Sequence, residues 1–127
     1  MTHIIHKELS YILNGILFDV HNEIGRFANE KQICDLIEKK LLALKIDYKR
    51  ELVLLGIDDE RAGRHRIDFL IDNKIVLEIK YRRYLTKDDY NQIQRYLTNL
   101  NMALGIIVNF RESRLHPHRV LNGGGKE

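Results

Sequence analysis

A chain of 127 residues, 44% of them hydrophobic and 31% charged, can bury one core and is too short for two ordinary domains. It holds a single cysteine and no tryptophan, carries a net charge of +3, and has no run of about 18 apolar residues. These values exclude a disulfide scaffold, a zinc knuckle and a membrane-spanning helix, and the global charge is weak evidence for a nucleic-acid partner; the opening MTHIIHKELS lacks a signal-peptide pattern, so a cytoplasmic location is expected.

In chain order, Leu9, Leu13, Ile16, Val20 and Ile24 recur at three- and four-residue spacing and predict an amphipathic helix over 6–24, stopped by Gly25. Asn29 is a suitable cap for a second helix over 30–45, with Ile33, Cys34, Ile37, Leu41 and Leu44 as its inward stripe. Cys34 on that stripe reads as a buried, inert thiol. Three short aliphatic runs follow: YKRELVLLGI, RHRIDFLID and KIVLEIKY. A polar loop around DDERAG separates the first two, and the Asp72-Asn73 turn separates the last two, which predicts an antiparallel meander.

Thr86 and Asp89 form a capping box for a third helix with Tyr90, Ile93, Leu97 and Leu100 facing inward. MALGIIVNF is almost wholly apolar, as a strand covered on both faces should be, and its place after a helix favours a parallel crossover. The expected fold is α/β in the order α-α-β-β-β-α-β: a four-stranded mixed sheet, an antiparallel meander plus one parallel strand, flanked by helices. A single domain over 1–121 would end in a flexible tail, 122–127, of composition NGGGKE.

The chemistry concentrates on the second and third runs. Strand alternation puts Ile67, Phe69 and Ile71 on one face and Asp68 on the other with Arg66 and Leu70. In the next run Ile75, Leu77 and Ile79 share one face, and Val76, Glu78 and Lys80 the other. A hairpin through Asn73 then sets Asp68 beside Glu78 and both near Lys80. Buried charges are costly without partners, and two convergent carboxylates suit Mg²⁺, a hard ion held by oxygen. Such a cation lowers the pKa of a bound water and stabilises charge on a phosphate. Lys80 would then orient or deprotonate that water, or neutralise developing charge. The plain alternative is a cross-strand salt bridge worth about 0–1 kcal/mol.

Glu30 stands at the start of the second helix, where a carboxylate either complements the helix dipole or adds a third acid to a metal site. Gln92 and Tyr96 are one turn apart on one helix face. Cations cluster locally: Arg61, Arg64, His65 and Arg66 lead into one strand, Arg82 and Arg83 follow the next, and Arg111, Arg114, His116, His118 and Arg119 crowd the C-terminal segment.

The run IDFLIDNKIVLEIK resembles the core of the PD-(D/E)XK nuclease superfamily, with Ile67 where the name has proline. The Gln92-to-Tyr96 spacing resembles the QxxxY element that follows that core in the exonuclease-like branch. With a helical Glu30 before the meander and VNF after the third helix, residues 8–121 are similar to the small GxxExxY family. The glycine and tyrosine of that signature fall on Phe27 and Ile33.

The resemblance implies a restriction-endonuclease-like core and a nuclease that hydrolyses phosphodiesters with Mg²⁺ or Mn²⁺. It implies catalytic roles for Asp68, Glu78, Lys80, Gln92 and Tyr96, and metal contacts from Asp68, Glu78, Glu30 and Ile79, the last with only backbone oxygen to offer. His21 matches a histidine common at its place in the family. The partner expected is nucleic acid, DNA before RNA, held by Arg64, Arg66, Arg82 and Arg83. Cutting both strands of a duplex would call for a homodimer. The alternative is a catalytically silent nucleic-acid-binding subunit that keeps the nuclease fold.

Overall fold

A computed structural model describes residues 3–25, 27–54 and 65–127. The elements are helices α1 (Lys7–Ile24) and α2 (Glu30–Ala43), strands β1 (Tyr48–Val53), β2 (Arg66–Ile71) and β3 (Ile75–Lys80), helix α3 (Lys87–Leu100), and strands β4 (Leu104–Asn109) and β5 (His118–Leu121). They build one five-stranded sheet in the order β1-β2-β3-β4-β5, antiparallel throughout except for the β3–β4 pair. The polar loop around DDERAG lies outside the described residues, as do Arg61 and Arg64.

Local sequence accounts for most boundaries. Gly25 closes α1 at a φ of 70°, with its N–H donating to His21 O. Asn29 and Gln32 form a reciprocal capping box on α2, and Thr86 and Asp89 form another on α3. Asp72 and Asn73, at φ of 50° and 54°, make the tight β2–β3 turn in which two successive left-handed residues match the twist of the strands. Helix α2 stops at Ala43, so Leu44 lies past its end and is exposed instead of completing the inward stripe.

The sheet is covered on both sides. On one, α1 and α2 pack Leu13, Leu17, Val20, Ile33, Ile37 and Leu41 against Phe69, Ile71, Ile75, Leu77, Ile79, Leu104, Ile106 and Val108. On the other, Ile93, Tyr96 and Leu97 of α3 pack against Ile67, Leu70, Val76 and Ile107. Each such aliphatic side chain contributes about 1.5–3 kcal/mol on full burial, and this anchors the strands that carry the polar residues. Gly105 lets α3 approach β4, since a Cβ there would stand 2.7 Å from Ile93 Cδ1.

Two expectations need correction. The sheet has five strands, because HRVL after Pro117 pairs with β4 as β5. Its cationic residues hid an ordinary alternation: His118 meets the Tyr90 ring on the α3 side at 6.0 Å, while Arg119 turns to α1 and donates to Ser10 Oγ and Ile5 O. The segment expected as a tail makes backbone bonds, Lys126 N–H to Asn101 O and Ala103 N–H to Lys126 O.

The second correction concerns strand faces. Ile67 packs with Leu70 in the α3-side core, not with Phe69 and Ile71. On the neighbouring strand Tyr48 packs in the α1/α2-side core and Leu52 in the other, although two-residue alternation would have kept them together. Pairing holds one register from Tyr48↔Ile71 to Val53↔Arg66 but skips the opposed Glu51 and Asp68. Glu51 has a φ of 54°, a left-handed residue inside a strand, and at this step both strands change which face they present.

Candidate active site

Asp68 sits at the step where alternation fails. The β2–β3 ladder ends at Phe69↔Leu77. One position further, where Asp68 and Glu78 stand opposite, side chains take the place of ladder bonds: the Ile79 N–H donates to Asp68 Oδ2 at 2.7 Å, and the Asp68 N–H donates to Glu78 Oε1 at 3.3 Å. The two carboxyl groups therefore meet in the opening between two central strands, with Glu78 only 3% exposed.

Burial pushes the Glu78 carboxyl well above the ordinary glutamate range, and the adjacent Asp68 charge adds to the effect while Lys80 opposes it. Burial also raises Asp68, against the pull of the Ile79 N–H, Glu78 and Lys80. Two neighbouring buried acids that resist joint ionisation form a site that gains from a cation. Their donor set, two carboxylates, fits Mg²⁺ or Mn²⁺, which are held by one or two carboxylates with water and substrate oxygen completing the shell.

Lys80 ends β3, two residues beyond Glu78 on the same strand. Its Nζ donates to Gln92 Oε1 of α3 at 3.2 Å, which holds the ammonium on the α3 side of the sheet. Tyr96, one turn along that helix, is buried at 1% exposure; burial and the Glu78 charge push its hydroxyl up to about 12, so it stays a neutral phenol beside the acids. Lys80 and Gln92 line an open cleft of about 760 Å³ with Arg82, Thr86, Asp88, Asp89, Asn91 and Arg95. Asp68, Glu78, Lys80, Gln92 and Tyr96 are thus brought together.

Other expected residues are placed differently. Glu30 is the first residue of α2 and exposed. It stands one helical turn before Cys34, whose thiol feels its charge. No group of three metal-ligating side chains occurs among the described residues, so Glu30 does not close on Asp68 and Glu78 here. The Ile79 side chain is core, and only its backbone borders the acids. His21 Nε2 bonds to Glu112 O at 2.8 Å and ties α1 to the loop after β4. Arg66 is exposed at the start of β2, and Arg83 is exposed after β3. The Arg82 guanidinium donates to buried Asp89 at 2.8 Å, so it is already partnered within the fold.

Two residues near the site were not singled out from the sequence. Asn109, 1% exposed, pairs with Lys80 in register. Its Oδ1 accepts the Arg82 N–H and its Nδ2 donates to Arg82 O at 2.7 Å, which fixes the chain leaving Lys80. A lone asparagine inside IIVNF was the available signal. Glu51, in contrast, left no sequence signal: nothing about glutamate between Arg50 and Leu52 announces a positive φ.

No curated protein and no solved structure matches the chain significantly. The sequence pattern of the PD-(D/E)XK nuclease superfamily matches residues 7–120, which takes in α1, the carboxylate-bearing hairpin, α3 and β4. Since that match spans nearly the whole chain, and Asp68, Glu78 and Lys80 stand on adjoining central strands, the chain belongs to the PD-(D/E)XK nuclease superfamily.

Proposed function

We propose that the chain is a divalent-metal-dependent nuclease that hydrolyses nucleic-acid phosphodiester bonds, with DNA its substrate ahead of RNA. The observation that supports this most is the replacement of ladder bonds by the Asp68 and Glu78 carboxyls in the opening between β2 and β3. Regular strands lose nothing by pairing there, whereas a buried acid pair costs several kcal/mol per ion until a cation compensates it.

In this reading Asp68 and Glu78 hold Mg²⁺ or Mn²⁺, helped by Ile79 backbone oxygen and by Glu30 once substrate is present. The cation supplies acidified water and charge stabilisation on the phosphate. Lys80, held by Gln92, accepts a proton from or orients the attacking water. Tyr96, itself a buried neutral phenol, covers the acids on one side. Glu30 at its helix start, with the Gln92–Tyr96 spacing, supports a place in the GxxExxY branch. One such site cuts one strand, so duplex cleavage would take two chains.

The test is cleavage of labelled single-stranded, duplex and branched DNA, and of RNA, with and without Mn²⁺, by wild type and Glu78→Ala. Metal-dependent products that vanish in the variant are expected; an active Glu78→Ala protein excludes the mechanism. Retained nucleic-acid binding with no cleavage under any metal would leave a silent binding subunit.

A further inference from the structure

Two loops leave the C-terminal ends of the parallel strands β3 and β4, the side on which open α/β sheets present ligands. They enclose a cleft of about 450 Å³ lined by Arg83, Arg111, Glu112, Ser113, Arg114 and His116. Among the described residues Glu112 is its only acid, and that carboxylate stands 3.6 Å from His116 Nδ1. Arg82, Arg119 and Arg50 are spent on Asp89, on Ser10 and on Asp35 with Glu38. Arg83, Arg111 and Arg114 are exposed, and none makes an ion pair with a described residue.

Beside them stands Tyr84, 67% exposed. The Arg83 guanidinium lies 5.5 Å from its ring centroid, so one side of the ring already takes a planar cation while most of the residue faces solvent. The next cleft along the β3–α3 loop is the one lined by Lys80 and Gln92, and it begins at Arg82, the chain neighbour of Arg83. A strand whose phosphates follow the arginines is therefore led toward the lysine.

We propose that this cleft is a binding track for single-stranded nucleic acid: Arg83, Arg111 and Arg114 contact successive phosphates, and Tyr84 stacks on an unpaired base. The pairing of a free aromatic face with unsatisfied arginines is what selects this partner. A base within a duplex spends both faces on its neighbours, whereas an unpaired base has one to offer to a side chain. An acidic protein would be drawn by the arginines but would leave Tyr84 without use. This inference rests on the nuclease reading above and assigns the substrate form to that site.

The test separates the two. In EDTA, so that nothing is cut, fluorescence anisotropy measures binding of labelled (dT)12, a 12-base-pair hairpin and poly-glutamate. Tyr84→Ala should weaken (dT)12 binding roughly 5- to 100-fold, the range for loss of one base stack, with the hairpin unchanged and Tyr84→Phe near wild type. Arg83→Ala, Arg111→Ala and Arg114→Ala together should lower the salt slope on (dT)12 by about 2, at roughly 0.7 per single-strand phosphate contact. All four residues are exposed, and a thermal melt checks that each variant is folded. The proposal is overturned if Tyr84→Ala binds (dT)12 as wild type does, if the hairpin binds as tightly as (dT)12, or if poly-glutamate competes equally. Stacking on Tyr84 without Mn²⁺-dependent cleavage would sink the nuclease reading and keep this one; cleavage indifferent to Tyr84 would do the reverse.

Discussion

The two halves of the sheet obey different rules. In β3 and β4 alternation runs unbroken: Ile75, Leu77 and Ile79 face α1 and α2, Val76 faces α3, and every residue of β4 is buried. In β1 and β2 it fails at a single opposed pair, Glu51 and Asp68. A carboxylate on a regular central strand must point into one of two apolar layers, where ionisation is expensive. At the step it enters the opening between strands, where the Ile79 N–H and Glu78 receive it. The regular half supplies rigidity and the irregular half supplies the acid.

That contrast can be broken from either side. The largest expected effect is Lys80→Met, which should lower turnover by about 10²–10⁴-fold while leaving stability and Mn²⁺ affinity near wild type, because the lysine acts on the water and not on the fold. Lys80→Arg should fail nearly as badly if proton acceptance is the role, since a guanidinium stays charged; single-turnover cleavage reads both. Three residues earlier on the same strand, Leu77→Ala should do the opposite. It costs about 2–5 kcal/mol by urea unfolding and spares turnover per folded molecule, because its fully buried side chain serves packing alone.

A smaller effect is expected from pH. With its folded-state pKa raised above the ordinary 4.5, Glu78 binds more protons folded than unfolded once pH exceeds that value. Metal-free stability should therefore fall as pH rises from about 4.5 toward neutrality, and Asp68, also raised, acts in the same direction. Glu78→Gln should flatten this fall and be the more stable protein at neutral pH, as urea midpoints in EDTA across that range would show. A wild type that gains stability relative to Glu78→Gln on raising the pH would mean that the acids are compensated within the fold.

The smallest effect tests the step itself. At Glu51 the left-handed backbone costs about 1–2 kcal/mol, and glycine would remove that strain while adding about 0.4–1 kcal/mol of unfolded-state freedom. Glu51→Gly should thus gain about 0.5–1 kcal/mol and keep Asp68 in place. Glu51→Val, which resists a positive φ, should lose stability and also the protection of the Ile79 amide against hydrogen exchange, because Asp68 would no longer accept from it.

What could be read from the sequence follows the same division. The regular parts announced themselves: the Asn29 and Thr86 caps, the Asp72-Asn73 turn, and the faces of β3 with Glu78 and Lys80 opposite Leu77 and Ile79. These depend on short-range preferences that each residue carries with it. The site pair Asp68–Glu78 was reached through hairpin register, which survives the step, although the expected face of Ile67 did not. The step arises from tertiary demands on a glutamate with no intrinsic liking for left-handed backbone, so nothing local encodes it. The partners of Arg82 and Arg119 were hidden for a related reason: charge runs are visible in a sequence, but Asp89 and Ser10 reach them only through the fold.

Cys34 sits on the inner face of α2, within the field of both Asp68 and Glu30, and burial with the Asp68 charge drives its thiol up to about 12. Only a thiolate alkylates, so near pH 8 the folded protein reacts far more slowly than an unfolded chain, which presents an ordinary thiol. The single cysteine is therefore a chemical clock on the separation of α2 from the sheet. Labelling follows the opening of the α1/α2 layer over the sheet, and a cation bound at the acids, by stabilising the folded state, would slow that clock without any reporter group being added.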